Sequence, residues 1–321
     1  MHENSQIAQD HIRSTQIREC STTSVSICVC AYNEEANIEE LLKSIQMQSL
    51  ERVKIVQILI ISSACSDGTD AIVQKFKDID PRIELVKESR RNGKASAINT
   101  FLLRAKGDVC LLANADTILS SESVERVCAP FFVKSVGMTG GRTIPVNDND
   151  RFMGFVSHLI WRLAHELSLE APKLGEFVAF RNVIRQISEK TAVDEAYIES
   201  EIRSRGYSLC YVPEAVVYNK GPEKISDYIK QRRRIYAGHL ELLSSTGYQV
   251  SSISNYRIAR LLGRILIKSW RYEAWILAAV LLECYARILG YCDFKFTNKN
   301  FYVWDVISTT KNLSAGVTYK T

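Results

Sequence analysis

Between Ser24 and Glu122 the chain repeats one pattern, a short run of β-branched and other apolar residues followed by a segment with helical spacing. The apolar runs are VSICVCAY, VQILIIS, RIELVKE and DVCLLAN, and the segments between them are EEANIEELLKSIQ, TDAIVQKFKD and KASAINTFLLRA. Strands that alternate with helices of this length form parallel βαβ units whose strands are buried on both faces of the sheet. Ligands of such sheets bind outside the carboxyl ends of the strands. Three polar turns fall there: Asn33 and Glu34 after the first strand, SSACSDGT after the second and Asn114-Ala115-Asp116 after the fourth.

From Val136 to Gly221 the pattern is mixed, with strands expected at VGMTGGRTI, EFVAFR and SLCYVPEAVVY, an amphipathic stretch from Phe152 to Leu169 and a helix from Glu195 to Arg205. The last quarter reads as helical and apolar, broken by Gly263 and Gly290. The expected division is a flexible amino-terminal segment over 1–23, a catalytic domain over 24–239 and a helical carboxyl-terminal region over 240–321. Met1 to about Ser24 is polar, with no apolar core and no small-residue cleavage site, so neither a secretory signal nor an amino-terminal anchor is expected and catalysis is assigned to the cytoplasm. The nine cysteines lie at spacings that fit neither a disulfide framework nor a zinc site and are expected to be reduced core residues.

Between Arg257 and Lys311 nine Lys/Arg face four Asp/Glu, a surplus of +5 that equals the charge of the whole chain. Arg257, Arg260, Arg264, Lys268 and Arg271 align on one side of a helix, beside Ile258, Leu261, Leu262, Ile265 and Leu266. A basic side next to an apolar side suits an anionic membrane interface. The following AWILAAVLL is shorter than the roughly 20 apolar residues needed to span a bilayer, so a monotopic or re-entrant attachment is expected. A helical cap with its basic face in water is the alternative.

Several segments, in order, resemble family 2 glycosyltransferases with the GT-A fold: SVSICVCAYNEEANIEELLKSI, SDGT at Ser66 to Thr69, RRNGKASAIN, LLANADT, GEFVAFR, DEAYIESEIRSRGYSLCYVPEAVVY and QRRRI. The resemblance runs from Ser24 to about His239. It implies a Rossmann-like α/β fold, a mostly parallel mixed sheet flanked by helices, followed here by the helical, membrane-interfacial region. It also implies inverting transfer of a sugar from a nucleotide diphosphate sugar, of UDP or GDP type, to a lipid-linked or glycan acceptor. The location implied is the cytoplasmic face of the membrane, and no nucleic acid is expected as a partner.

Such chemistry needs the charge on the leaving diphosphate neutralised, which Mg²⁺ or Mn²⁺ beside a carboxylate does. Asp116 is the candidate metal ligand, with helix capping as its structural alternative. Asn114 stands where the family usually has a second Asp, and Ser62 and Ser63 stand where it often has an acidic pair. Ala31, Asn33, Glu34, Ser63, Asp67, Lys94 and Asn114 are assigned to the donor pocket, although Asp67-Gly68 would equally form a turn before a helix.

The acceptor hydroxyl must lose a proton as it attacks. Glu195 falls at the position of the family's base, with Asp194 as its substitute; both would also favour a helix amino terminus. Gly175 and Glu176 resemble the acceptor-side loop. Gln231 and Arg234 lie three apart on one helix face, and Arg234 suits a diphosphate oxygen, whereas Ile235 replaces the family's Trp. His158, His165 and His239 share no ligand spacing. A nucleotidyltransferase would need a Gly-rich basic phosphate loop, which AYNEEAN does not supply. The other alternative is a catalytically degenerate nucleotide-sugar-binding or regulatory protein of the same fold, given the lost acids.

Overall fold

The computed structural model describes residues 22–251, 255–268, 273–296, 310 and 313. The expected segment 1–23, Arg271, the side chains of Arg264 and Lys268, and most of the stretch beyond Phe296 lie outside the described residues.

Eight strands form one sheet: β1 (Thr23–Ala31), β2 (Val53–Ser63), β3 (Ile83–Glu88), β4 (Val109–Asn114), β5 (Thr117–Leu119), β6 (Val136–Pro145), β7 (Phe177–Arg181) and β8 (Ser208–Asn219), in the order β3-β2-β1-β4-β7-β6-β8-β5. The first four repeats pair in parallel, as their two-sided burial requires. β7 then enters antiparallel between β4 and β6, and β5 pairs antiparallel with β8. Register sets Ala31 opposite Ser62 and Cys30 opposite Asn114, so the loops leaving β1, β2 and β4 share one edge.

The helices are α1 (Ile38–Gln46), α2 (Thr69–Ile79), α3 (Lys94–Leu102), α4 (Ser123–Cys128), α5 (Phe152–Glu170), α6 (Asp194–Ser204), α7 (Ile225–Thr246), α8 (Asn255–Lys268) and α9 (Glu273–Phe296). Two apolar layers cover the sheet. One packs Ile38, Leu41, Leu42 and Ile45 of α1 on Ile27, Ile58 and Leu111; the other packs Ile98 and Phe101 of α3 and Ile198 and Ile202 of α6 on Leu59, Leu112 and Phe180.

The carboxyl-terminal region departs from expectation in three ways. Gly290 does not interrupt a helix: α9 runs through it, and a Cβ there would sit 2.6 Å from the Arg233 carbonyl oxygen, so glycine allows α9 to press against α7. Gly263 likewise lies inside α8. α9 is also one continuous helix of 24 residues, long and apolar enough by length and composition to cross a membrane, because it continues past Glu283 instead of ending with AWILAAVLL. Finally, of the apolar face expected on α8, Leu261 is buried and Leu262 packs on the cluster around Met153 and Ile276, while the side chains of Ile265 and Leu266 lie outside the described residues. Among the described residues an outward apolar face lies on α9, where Leu277, Leu281, Tyr285, Ile288 and Tyr291 are exposed at helical spacing. Cys284 and Cys292 share this exposure, so these two cysteines are surface residues; Cys28, Cys110 and Cys128 are buried as expected.

Candidate active site

A cavity of about 590 Å³ opens at the carboxyl edge of the sheet, bounded by the loops after β1, β2 and β4, the start of α3, the turn before β7, and α5, α6 and α7. Its lining brings together Ala31, Glu34, Ser63, Lys94, Asn114, Asp116, Gly175, Glu176, Glu195, Gln231 and Arg234.

Asn33 and Asp67, expected in the donor pocket, do not line it, because their side chains lace two loops together. The Ser66 amide donates to Asn33 Oδ1 (2.8 Å) and the Glu35 amide to Asp67 Oδ2 (3.2 Å), while the Thr69 amide donates to Asp67 Oδ1 (3.0 Å). The Gly68 amide also donates to Glu35 Oε2 (2.7 Å). These bonds hold the Asn33–Glu35 turn against the start of α2. The serines that replace the family's acids are engaged with carboxylates, Ser62 with Asp70 (2.5 Å) and Ser63 with Glu88 (2.6 Å).

A polar chain crosses the cavity wall. Gly93 has φ 96°, a left-handed conformation that glycine adopts without strain, and it turns the chain so that Lys94 opens α3. Lys94 Nζ donates to Glu195 Oε1 (2.6 Å) and to Asn114 Oδ1 (2.9 Å), and Asn114 Nδ2 donates to Glu176 Oε2 (2.9 Å). Glu176 reaches this position from a backbone at φ 61°, and Asn33 (φ 53°) and Ala64 (φ 55°) also hold positive φ beside the crevice. Strained residues of this kind persist where the surrounding structure holds them and cluster at functional sites.

Burial opposes the charge on Glu195, but Lys94 outweighs it and holds the carboxyl below the usual glutamate range. Burial likewise opposes the Lys94 charge, and Glu195 and Asp194 outweigh it, keeping the ammonium above its ordinary value. Glu176 moves the other way, pushed up to about 7 by burial and then by the charges of Asp116 and Glu195. Asp194 does not face the cavity. It is 1% exposed, neither carboxylate oxygen has a hydrogen-bond partner among the described residues, and burial raises it to about 7.

The residues fit a divalent ion at Asp116. The negative charge that Asp116 imposes on Glu176 is what a cation there would relieve. Among the described residues no three His, Cys, Asp or Glu side chains form a metal cluster, so water and phosphate oxygens would complete the shell, the usual habit of Mg²⁺.

On α7 the three arginines separate. Arg232 bonds Glu283 of α9 through Nη2 (2.7 Å) and Nε (2.9 Å), and Arg233 pairs with Asp293. Arg234, with Gln231, faces the cavity, and its charge acts on Asp194 and Glu195. Sequence reasoning missed Tyr32 and Arg91, whose ring and guanidinium stack at 3.8 Å on the lining, together with Lys173, Glu199 and His239 at the far end. The RRNGK segment contained a signal for Arg91; Lys173 had none, being a single lysine in a turn.

A model of "Glycosyl transferase family 2" matches residues 26–190, and one of "Glycosyl transferase family group 2" matches residues 110–289. The chain is similar to a poly-β-1,6-N-acetyl-D-glucosamine synthase of Staphylococcus aureus, 24% identical over 237 residues. The match covers 68% of this chain and 55% of that protein, so the chain spans about half the length of this relative. Its fold resembles that of a mannosyltransferase of Pyrobaculum calidifontis solved with GDP-Man and Mn²⁺, at TM-score 0.67, 18% identity and coverage of 87% and 88%. Residues 1–349 of S. aureus TarS, solved with UDP-GlcNAc, superpose at TM-score 0.50 and 18% identity over 84% of this chain and 80% of that one.

Proposed function

The chain belongs to glycosyl transferase family 2, and from that premise we propose that it transfers a sugar from a UDP- or GDP-type donor to an acceptor hydroxyl with inversion at the anomeric carbon. The observation that carries this reading is the chain Glu195–Lys94–Asn114–Glu176 on the wall of a cavity that also holds Asp116 and Arg234.

The acceptor oxygen attacks the anomeric carbon as the bond to the donor phosphate breaks, and its proton passes to Glu195. Glu195 is suited to this because Lys94 keeps it ionised and because it faces the cavity, whereas Asp194 is buried behind it. Lys94 positions Glu195 and, through Asn114, ties the base to the wall beside Asp116. Arg234 contributes a planar cation to the diphosphate. A Mg²⁺ or Mn²⁺ at Asp116 would neutralise charge developing on the leaving group. Glu176, held at positive φ and with its carboxyl pushed up chiefly by burial, is placed to hydrogen-bond a sugar hydroxyl.

The acceptor is lipid-linked or a growing glycan, and the enzyme sits on the cytoplasmic face of a membrane. α9 supports a monotopic attachment: its outer face is apolar, while Glu283 and Asp293 on its inner face are held by arginines of α7, which ties the helix to the domain. The exposed Arg257 and Arg260 would meet anionic headgroups.

The test is a thermal-shift titration with UDP-, GDP- and dTDP-linked sugars, with and without Mn²⁺, on wild type and Asp116→Ala. Stabilisation by one nucleotide, requiring metal and lost in the variant, is the expected outcome. No stabilisation by any nucleotide would favour the degenerate-protein alternative, which the serines at 62 and 63 and the asparagine at 114 motivate.

A further inference from the structure

The two ends of the cavity have opposite electrostatics. At the donor end Asp116, Glu176 and Glu195 line the wall, with Asp194 behind, against Lys94 and Arg234. That end is rich in carboxylates and suits a cation. At the other end Lys173, from the turn before β7, meets Arg232 and His239, two turns apart on one face of α7. Arg287 of α9 stands behind them.

The counter-charges at this end are already in use. Glu283 accepts from Arg232, from Arg287 Nε (2.8 Å) and from the Tyr228 hydroxyl (2.9 Å). Glu199 accepts from the Tyr248 hydroxyl and, weakly, from the Leu174 amide (3.4 Å), and burial raises its pKa. Lys173 forms no ion pair among the described residues, and burial followed by Arg232 lowers it to about 8. Lys173, Arg232 and Arg287, beside a His239 imidazole that burial and these cations keep neutral, thus stand against the ionised Glu283 and against Glu199, whose ionisation burial opposes. Buried charge without a partner is costly, and Arg and Lys donors converging on a cavity fit phosphate oxygens.

We propose that the lobe lined by Lys173, Arg232 and His239 binds a phosphate or diphosphate group distinct from that of the donor, and that the acceptor is a phosphate ester whose head is held there. The inference rests on the transferase reading for the word acceptor, but the anion site itself does not. Arg232 and Arg234 project from different sides of α7, one toward Glu283 and the other toward Asp194 and Glu195, so one phosphate group does not serve both. Two sources share this chemistry: a lipid phosphate arriving from a bilayer against the apolar face of α9, and a soluble phosphate ester.

The test titrates inorganic pyrophosphate into the full chain by calorimetry in EDTA, using wild type, Arg234→Gln, Lys173→Gln and Lys173→Arg. Loss of one charge-assisted contact should weaken binding about tenfold in Lys173→Gln, with Lys173→Arg close to wild type, while Arg234→Gln reports separately on pyrophosphate held at the donor end. Unchanged binding in Lys173→Gln, or loss only in Arg234→Gln, overturns the proposal. If Lys173→Gln does not fold, the comparison moves to Lys173→Met, which removes the same charge on an unbranched apolar chain; the same weakening is expected and unchanged binding overturns the proposal.

Transfer from the nucleotide sugar is then compared for polyprenyl phosphate and polyprenol in phosphatidylcholine vesicles and for a soluble sugar phosphate. Lys173-dependent transfer to polyprenyl phosphate alone identifies the lipid source, and to the sugar phosphate alone the soluble one. Transfer to polyprenol at equal rate overturns the acceptor assignment. Failure of all transfer with nucleotide binding absent strikes the transferase reading, while the pyrophosphate titration still reports on the lobe.

Discussion

Lys94 Nζ lies 2.6 Å from Glu195 Oε1 across 101 residues of sequence, with side chains only 12% and 17% exposed. Removing the ammonium leaves Glu195 beside Asp194 without its compensating charge. Lys94→Met is therefore expected to raise the acid-side midpoint of the kcat profile and to lower kcat about 10²-fold or more. A variant with reduced kcat but an unmoved acid limb would show that Lys94 acts elsewhere.

Glu195 faces the cavity and Asp194 does not. Glu195→Gln should lower kcat by about 10²–10⁴ with donor affinity nearly unchanged. Asp194→Asn should act mainly on stability, because a carboxyl without hydrogen bonds among the described residues is exchanged for an amide in the same place. The reverse pattern in single-turnover rates would make Asp194 the base.

Glu176 gives a pH signature. A carboxyl whose folded pKa stands above its unfolded value, about 4.3, binds its proton more tightly in the folded state. Its stabilising contribution is present at low pH and declines as the pH rises toward about 7. In EDTA the melting temperature should fall between pH 4.5 and 7, by about the span those two pKa values define, and Glu176→Gln should flatten the fall, leaving the part due to Asp194. Parallel curves for variant and wild type would disprove the assignment.

Leu277 and Ile288 lie on the exposed face of α9. Burying each in lipid contributes about 1.5–3 kcal/mol, so Leu277→Glu/Ile288→Glu should lower vesicle partitioning about a hundredfold or more. Nucleotide binding in detergent should stay as in wild type. Sedimentation with liposomes decides it, and equal partitioning would remove α9 from the membrane contact.

At Gly290 an added Cβ meets the Arg233 carbonyl oxygen at 2.6 Å. Gly290→Val is expected to cost about 1–3 kcal/mol by parting α9 from α7. Chemical denaturation reads the loss, and a neutral result would mean that the two helices are loosely held.

The first four strands were legible because strands buried on both faces, such as VQILIIS, leave unbroken apolar runs. β5 was not, since three residues between Asp116 and Ser120 carry no periodicity. Lys94, Asp116, Glu195 and Arg234, which the fold sets on one cavity, could be singled out because each stands in a recognisable local pattern. Asn33 and Asp67 stand in such patterns too, yet their side chains bond neighbouring loops instead of facing the cavity. The ion pairs of Arg232 and Arg233 were not legible, because their partners Glu283 and Asp293 follow 51 and 60 residues later. Only the fold brings these groups together.

That long reach from α7 to α9 has a consequence for synthesis. Every strand among the described residues is complete once Asn219 has left the ribosome, and domains fold from the amino terminus as they emerge. The carboxylate-rich crevice is thus assembled while the residues that anchor Arg232 and Arg233 are still untranslated. A stalled nascent chain would hold a finished sheet and a cationic helix without its ionic anchors.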